Sequence, residues 1–171
     1  MSIDVRLLTS ADLAVLSHVA EDVFDDPINE RSAKAFLEDP HHMLVVAILR
    51  DAHSLHSEGE RSERLEGRRD WAPQDEAGKG LVVGFASGVK TLHPDKEVPE
   101  LFINELGVAP QYQRRGIATA IMKTLFAEAK KARCRIGWVP VDVDNGVALA
   151  FYKAIGGKPP ERQIHIDFDL G

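Results

Sequence analysis

The chain has 171 residues, 44% hydrophobic and 28% charged, the balance of one soluble globular domain. Its net charge of −6 disfavours a general nucleic-acid binder, which presents a basic face, and suits a neutral or cationic partner. No apolar run nears the roughly 20 residues that span a bilayer, and the first residues lack a charged-then-apolar leader pattern. The single cysteine, Cys134, excludes an internal disulfide, and no Cys/His cluster has metal spacing. The expectation is a cytoplasmic protein with no metal, no membrane contact and no nucleic-acid partner.

Residues 3–8 alternate as a first strand. Thr9 and Ser10 then offer an N-cap, with Asp12 in the first turn, and Leu13, Leu16, Ala20, Val23 and Phe24 follow at helical spacing. Phe24-Asp25-Asp26-Pro27 ends that segment. A shorter helix is predicted over 31–38 and is closed by Asp39-Pro40. Residues 43–49 form a near-continuous apolar run, hence a buried strand, and 81–90 is its hairpin partner.

Between them, residues 50–80 are polar and rich in Glu and Arg, with Leu65 and Trp71 among the few large apolar side chains. A loop of about 30 residues is far longer than most hairpin connections. Its composition reads as a solvated surface insertion, with a substrate lid as the alternative. Further strands are predicted at 101–108, 136–143 and 163–170, and helices at 115–132 and 147–154. The order β-α-α-β-β-β-α-β-α-β is a mixed α/β sheet in a single domain, 1–171, with a parallel crossover near Arg114-Arg115-Gly116.

That crossover carries the chemistry. A strand, a proline and Gln113-Arg114-Arg115-Gly116-Ile117-Ala118-Thr119 lead directly into an apolar helix. Such a turn aims backbone N–H groups and a helix N-terminus at one point and makes an anion site. Gly116 lets backbone approach the ligand closely, and Ala118 keeps the wall thin. The plainer alternative is a helix start with solvated arginines.

With Gln113, Gly116 and Ala118 in these places, the chain resembles the GNAT superfamily of acetyl-CoA-dependent N-acetyltransferases. A second segment, Asn145, Ala148, Phe151, Tyr152 and Gly156, resembles that superfamily's motif after the fifth strand. The resemblance implies a GNAT-type fold, a mostly antiparallel sheet splayed at the acetyl-CoA site. Arg114, Arg115, Ile117 and Thr119 complete the pyrophosphate loop, and Leu106, Gly107 and Val108 meet the pantetheine arm. Gly107 fits either a bulge or a close approach. The Val108 N–H becomes the donor to the thioester oxygen. Tyr152 becomes the acid for the departing thiolate, the alternative being a packed helix aromatic.

Glu105, a carboxylate in an otherwise apolar strand, is the candidate base. It could instead hold the ammonium while water takes the proton, or be a plain strand-edge charge. Within the superfamily, the chain is similar to the type I aminoglycoside 3-N-acetyltransferases outside residues 50–80. This likeness is carried by Phe24-Asp25-Asp26-Pro27 and by residues 103–108, 114–120, 139–142, 148–152 and 164–169. It implies a homodimeric antibiotic-resistance enzyme acting on the 3-amino group of the deoxystreptamine ring by direct attack in a ternary complex. Asp25, Asp26, Glu105, Asp142, Asp144 and Asp167 would receive the polycationic substrate. Two features depart from that family: its strand acid is one carbon shorter than Glu105, and its loop at 140–146 is more acidic. Acceptors such as another small amine, a polyamine or a protein amino group stay open, as does a non-catalytic acyl-CoA-binding module.

Overall fold

The computed structural model describes residues 2–50, 80–161, 164 and 166–171. The insertion expected at 50–80, with Leu65 and Trp71, lies outside the described residues but for its ends. The chain forms two compact units, residues 1–139 and 140–171.

In the first unit, β1 (Ser2–Leu7), β2 (His42–Arg50), β3 (Leu81–Thr91), β4 (Glu100–Val108) and β5 (Ile136–Trp138) form one sheet in that order. Every neighbouring pair is antiparallel except β4 and β5, which are parallel. Between those two runs α2 (Ile117–Lys131), the crossover that parallel strands require. Its buried residues Ile117, Ile121, Met122, Leu125 and Ala129 recur at helical spacing. They pack on one sheet face: a Cβ built on Gly84 would meet Ile121, and one on Gly88 would meet Leu125. The other face carries Phe85, stacked on Phe24 at 3.9 Å, and His42, stacked at 4.3 Å on Phe36 of α1 (Glu30–Glu38). Asn29 caps α1 by accepting the Ser32 N–H. Among the described residues, no helix is long and apolar enough to cross a membrane.

Three expectations are corrected. The amphipathic helix foreseen through Phe24 is a 3-10 helix over Ser10–Ser17 only. Beyond it the backbone joins the sheet: the Val82 N–H donates to the His18 carbonyl, and the Ala20 N–H to the Val82 carbonyl. β4 pairs with β3 only as far as Gly84, so the start of β3 has polar groups to satisfy, and these outweigh the helical pattern. The strand foreseen at 136–143 ends at Trp138; Pro140 has no N–H to offer a ladder. At 163–170, residues 164 and 166–170 form no strand, and Ile164, Ile166, Phe168 and Leu170 are exposed. Alternation supplies an apolar face, but a strand also needs a neighbour for its backbone.

Candidate functional site

β4 changes face in mid-strand. Ser87 pairs with Glu105 while Gly88 pairs with Ile103, so Asn104 is the extra residue of a β-bulge. Strict alternation would put Leu101, Ile103 and Glu105 on the α2 face together. The bulge instead turns Leu101 and Ile103 into the core and Glu105 out on the opposite face, beside Gly107. Glu105 is accordingly exposed, whereas Leu101 and Ile103 are buried. The bulge therefore sits at Asn104 and not at Gly107. Gly107 is the site of close approach: a Cβ there would lie 2.5 Å from the Val23 carbonyl oxygen and 2.8 Å from the Phe85 ring.

The end of β4 has an open edge. β5 pairs only with Glu100, Leu101 and Phe102, and among the described residues no strand continues beside β4 on that side. The Ala109 N–H donates to the Val83 carbonyl, which makes Val108 and Gly84 a non-hydrogen-bonded pair. Val108, and Leu106 two residues earlier, therefore turn their N–H and C=O away from β3 toward the uncovered edge. There the side-chain amide of Gln113 donates to the Val108 carbonyl at 2.9 Å. The N–H of Val108 remains aimed outward.

The following turn is built from Tyr112 to Gly116. Tyr112 is buried and anchors the turn, with the Arg115 guanidinium 5.6 Å above its ring centroid. Arg114 and Gly116 both have positive φ, +59° and +78°, a conformation that glycine adopts without strain. Gly116 begins α2 without a side-chain cap, so the first N–H groups, those of Ile117, Ala118 and Thr119, have no capping partner. A Cβ on Gly116 would meet nothing within 4 Å. Uncapped donors, open space and two exposed arginines fit a pyrophosphate.

Asp25 and Asp26 lie exposed in the segment after the 3-10 helix, lining a shallow cavity of about 340 Å³ with Phe24, Pro27 and Ile28. Glu105 is not part of that lining. The stack of Phe24 on Phe85, next to Gly107 across β3 and β4, joins the segment to the same sheet face as Glu105.

The second unit carries α3 (Gly146–Ala154). The Asn145 side chain accepts the Ala148 N–H at 3.0 Å, capping the helix. Asp142 and Asp144 are exposed just upstream, and their carbonyls accept the Asn145 and Gly146 N–H groups. At the other end the Gly157 N–H donates to the Tyr152 carbonyl and the Gly156 N–H to that of Lys153. This Schellman closure uses the positive φ of Gly156 and fixes the Tyr152 backbone. The Tyr152 ring meets Phe151 edge-on at 5.3 Å, and burial pushes its phenol above the usual value of 10.0. Asp167 is exposed in the C-terminal segment.

Sequence reasoning missed the Asn104 bulge, the role of Tyr112 and the Gln113–Val108 tie. The bulge had a signal. Apolar residues fall at Leu101 and Ile103, then at Leu106 and Val108, so the alternation slips by one between them.

Among curated proteins, the chain is 29% identical over 73 residues to an aminoglycoside N(6′)-acetyltransferase type 1 of Acinetobacter baumannii, covering 43% of this chain and 50% of that one. It is 32% identical over 57 residues to the ribosomal protein bS18-alanine N-acetyltransferase of Escherichia coli (strain K12), covering 33% and 38%. The chain thus spans half or less of the length of these relatives. A solved aminoglycoside acetyltransferase from an uncultured soil metagenomic sample, in complex with sisomicin, has the same fold, with a TM-score of 0.71 at 15% identity over 99% of this chain and 97% of that one. Residues 24–156, which include the bulged strand, the anion turn and Tyr152, match the acetyltransferase (GNAT) family. The chain belongs to that family, whose acyl donor is acetyl-CoA.

Proposed function

We propose that this chain works as one catalytic domain that acetylates an amine of an aminoglycoside, with acetyl-CoA as donor. The observation that carries the reading is the junction at the end of β4. An outward-facing Val108 N–H, an anion turn tied to it by Gln113, and a carboxylate turned onto the adjoining face converge there.

Acetyl-CoA supplies an activated acetyl thioester. The uncapped N–H groups of Ile117, Ala118 and Thr119, with Arg114 and Arg115, hold its pyrophosphate, and the edge of Leu106, Gly107 and Val108 holds its arm. Val108 N–H hydrogen-bonds the acyl oxygen, where negative charge grows as an amine attacks. Glu105 holds the incoming ammonium and takes its proton. Tyr152, a phenol that is neutral at physiological pH, gives a proton to the leaving sulfur. Asp25, Asp26, Asp142, Asp144 and Asp167 supply negative charge for a substrate bearing several ammonium groups.

The finer assignment, transfer to the 3-amino group of the deoxystreptamine ring by a homodimeric enzyme, rests on the sequence resemblance. The named curated aminoglycoside relative is of the N(6′) type, so the 6′-amine is the competing position. A second reading, acetylation of a protein amino group, is favoured by the relative that acts on an alanine of a ribosomal protein.

Thiol release from acetyl-CoA with gentamicin, a polyamine and an alanine-initiated peptide separates these readings. Product NMR then fixes the acetylated nitrogen. Release with gentamicin supports the proposal, and release with the peptide alone replaces it with the second reading. Acetyl-CoA binding without release in any arm reduces the chain to a binding module.

A further inference from the structure

Two side-chain polar atoms among the described residues are enclosed without a hydrogen-bond partner, the His42 Nδ1 and the Ser87 Oγ. Both belong to the sheet face that carries Glu105. His42 pairs with Val89, and Ser87 lies two residues from Val89 on β3, paired in turn with Glu105. The His42 Nδ1 has the Asp39 carboxylate 3.9 Å away. Ser87 is only 4% exposed and is the one residue classed as polar in the buried set among the described residues. A hydroxyl in such a place costs stability unless it serves something.

Its surroundings indicate what it serves. Directly paired residues on one sheet face have Cβ atoms about 5 Å apart. That span is bridged when a hydroxyl turns toward a carboxylate that folds back over the strand. The Asn104 bulge is what brings these two side chains to the same face; without it Glu105 would point into the α2 core. Leu44, on the other side of Ser87, is buried and apolar and offers the hydroxyl no side-chain acceptor.

We propose that Ser87 is a positioning residue for Glu105: when the amine is bound, its Oγ donates a hydrogen bond to the Glu105 carboxylate and fixes the orientation in which that group receives the ammonium. This rests on the reading of Glu105 as the amine-facing carboxylate. One carboxylate oxygen takes the serine hydroxyl and the other faces the amine, which replaces several side-chain rotamers by one. The gain is in turnover, because the fixed geometry matters most as the proton moves.

The test is a double-mutant cycle of Ser87→Ala with Glu105→Gln, with Ser87→Cys as a near-isosteric second variant that leaves no cavity. Each is assayed with acetyl-CoA and whichever amine the wild type acetylates, and each is melted thermally. The expected result is a fall in kcat of about tenfold for Ser87→Ala and Ser87→Cys, with KM for acetyl-CoA within about twofold of wild type. The melting temperature should be unchanged or raised, because no observed hydrogen bond is lost. In the Glu105→Gln background, Ser87→Ala should have no further effect. Full turnover in both serine variants, or an equal loss with and without Glu105, overturns the role of Ser87 and leaves that of Glu105 intact. Unchanged turnover in Glu105→Gln alone overturns the amine-site reading itself.

Discussion

The side-chain amide of Gln113 donates to the backbone carbonyl of Val108 at 2.9 Å, joining the turn before α2 to the end of β4. The two parts that the proposed function assigns to opposite ends of the acetyl donor are thereby tied to each other. The Val108 N–H points outward because Val108 and Gly84 form a non-hydrogen-bonded pair, and the Gln113 bond engages the carbonyl on that same edge.

Replacing Gln113 by Ala frees the Val108 carbonyl and loosens the turn. One lost hydrogen bond is worth about 1 kcal/mol, or roughly fivefold in an equilibrium. The expected outcome is a fall of about five- to tenfold in kcat/KM for acetyl-CoA, with the melting temperature lowered only slightly. Steady-state kinetics and a thermal melt check it. An unchanged kcat/KM would mean that the tie does not position the donor.

Tyr152 has a folded-state pKa raised above 10.0 by burial, so the folded protein favours the neutral phenol. The corresponding stability is fully present below pH 10 and is lost as pH rises through the higher folded value. Tyr152→Phe should abolish this alkaline component of stability, read by urea melts between neutral and strongly alkaline pH. Its turnover should fall by about tenfold or more while the Kd for acetyl-CoA stays within about twofold. Near-normal turnover would remove Tyr152 as the acid.

Asp12 holds the N-terminal segment in place. It accepts the Thr9 N–H at 2.8 Å and the Thr9 hydroxyl and Arg6 guanidinium at 2.7 Å. Burial works to raise its pKa, but the Thr9 bonds and Arg6 outweigh burial and the net effect is a lowering. The stability it supplies is present above the unfolded carboxylate value and lost as pH falls through the lower folded value. Asp12→Ala should cost about 1–2 kcal/mol at pH 7, with the difference from wild type shrinking toward pH 2. Urea unfolding at the two pH values checks both parts.

How much of this was legible follows from the physics of each element. The strands at Met43 and Val82 and the helix from Ile117 were readable because their apolar periodicity coincides with their final packing. The turn before α2 was readable because Gly116, at the helix start, favours the left-handed conformation the backbone takes there. The segment at Val19 was misread because its fate depends on Val82, more than 60 residues away, whose backbone needed a partner. The strand of Glu105 was readable but the face it takes was not, since a single inserted residue, Asn104, reverses every side chain beyond it. The bond from the Gln113 side chain to the Val108 carbonyl was not readable, because it joins residues of two separate elements.

The central claim is that the carboxylate turned out by the bulge is where the amine is received. It is tested most directly by Glu105→Gln, which keeps the side chain's size and removes its charge and basicity. The account predicts a fall in kcat of about a hundredfold with the preferred amine, while calorimetric affinity for acetyl-CoA stays within about twofold of wild type. Wild-type turnover in that variant, with the amine KM unchanged, would contradict it.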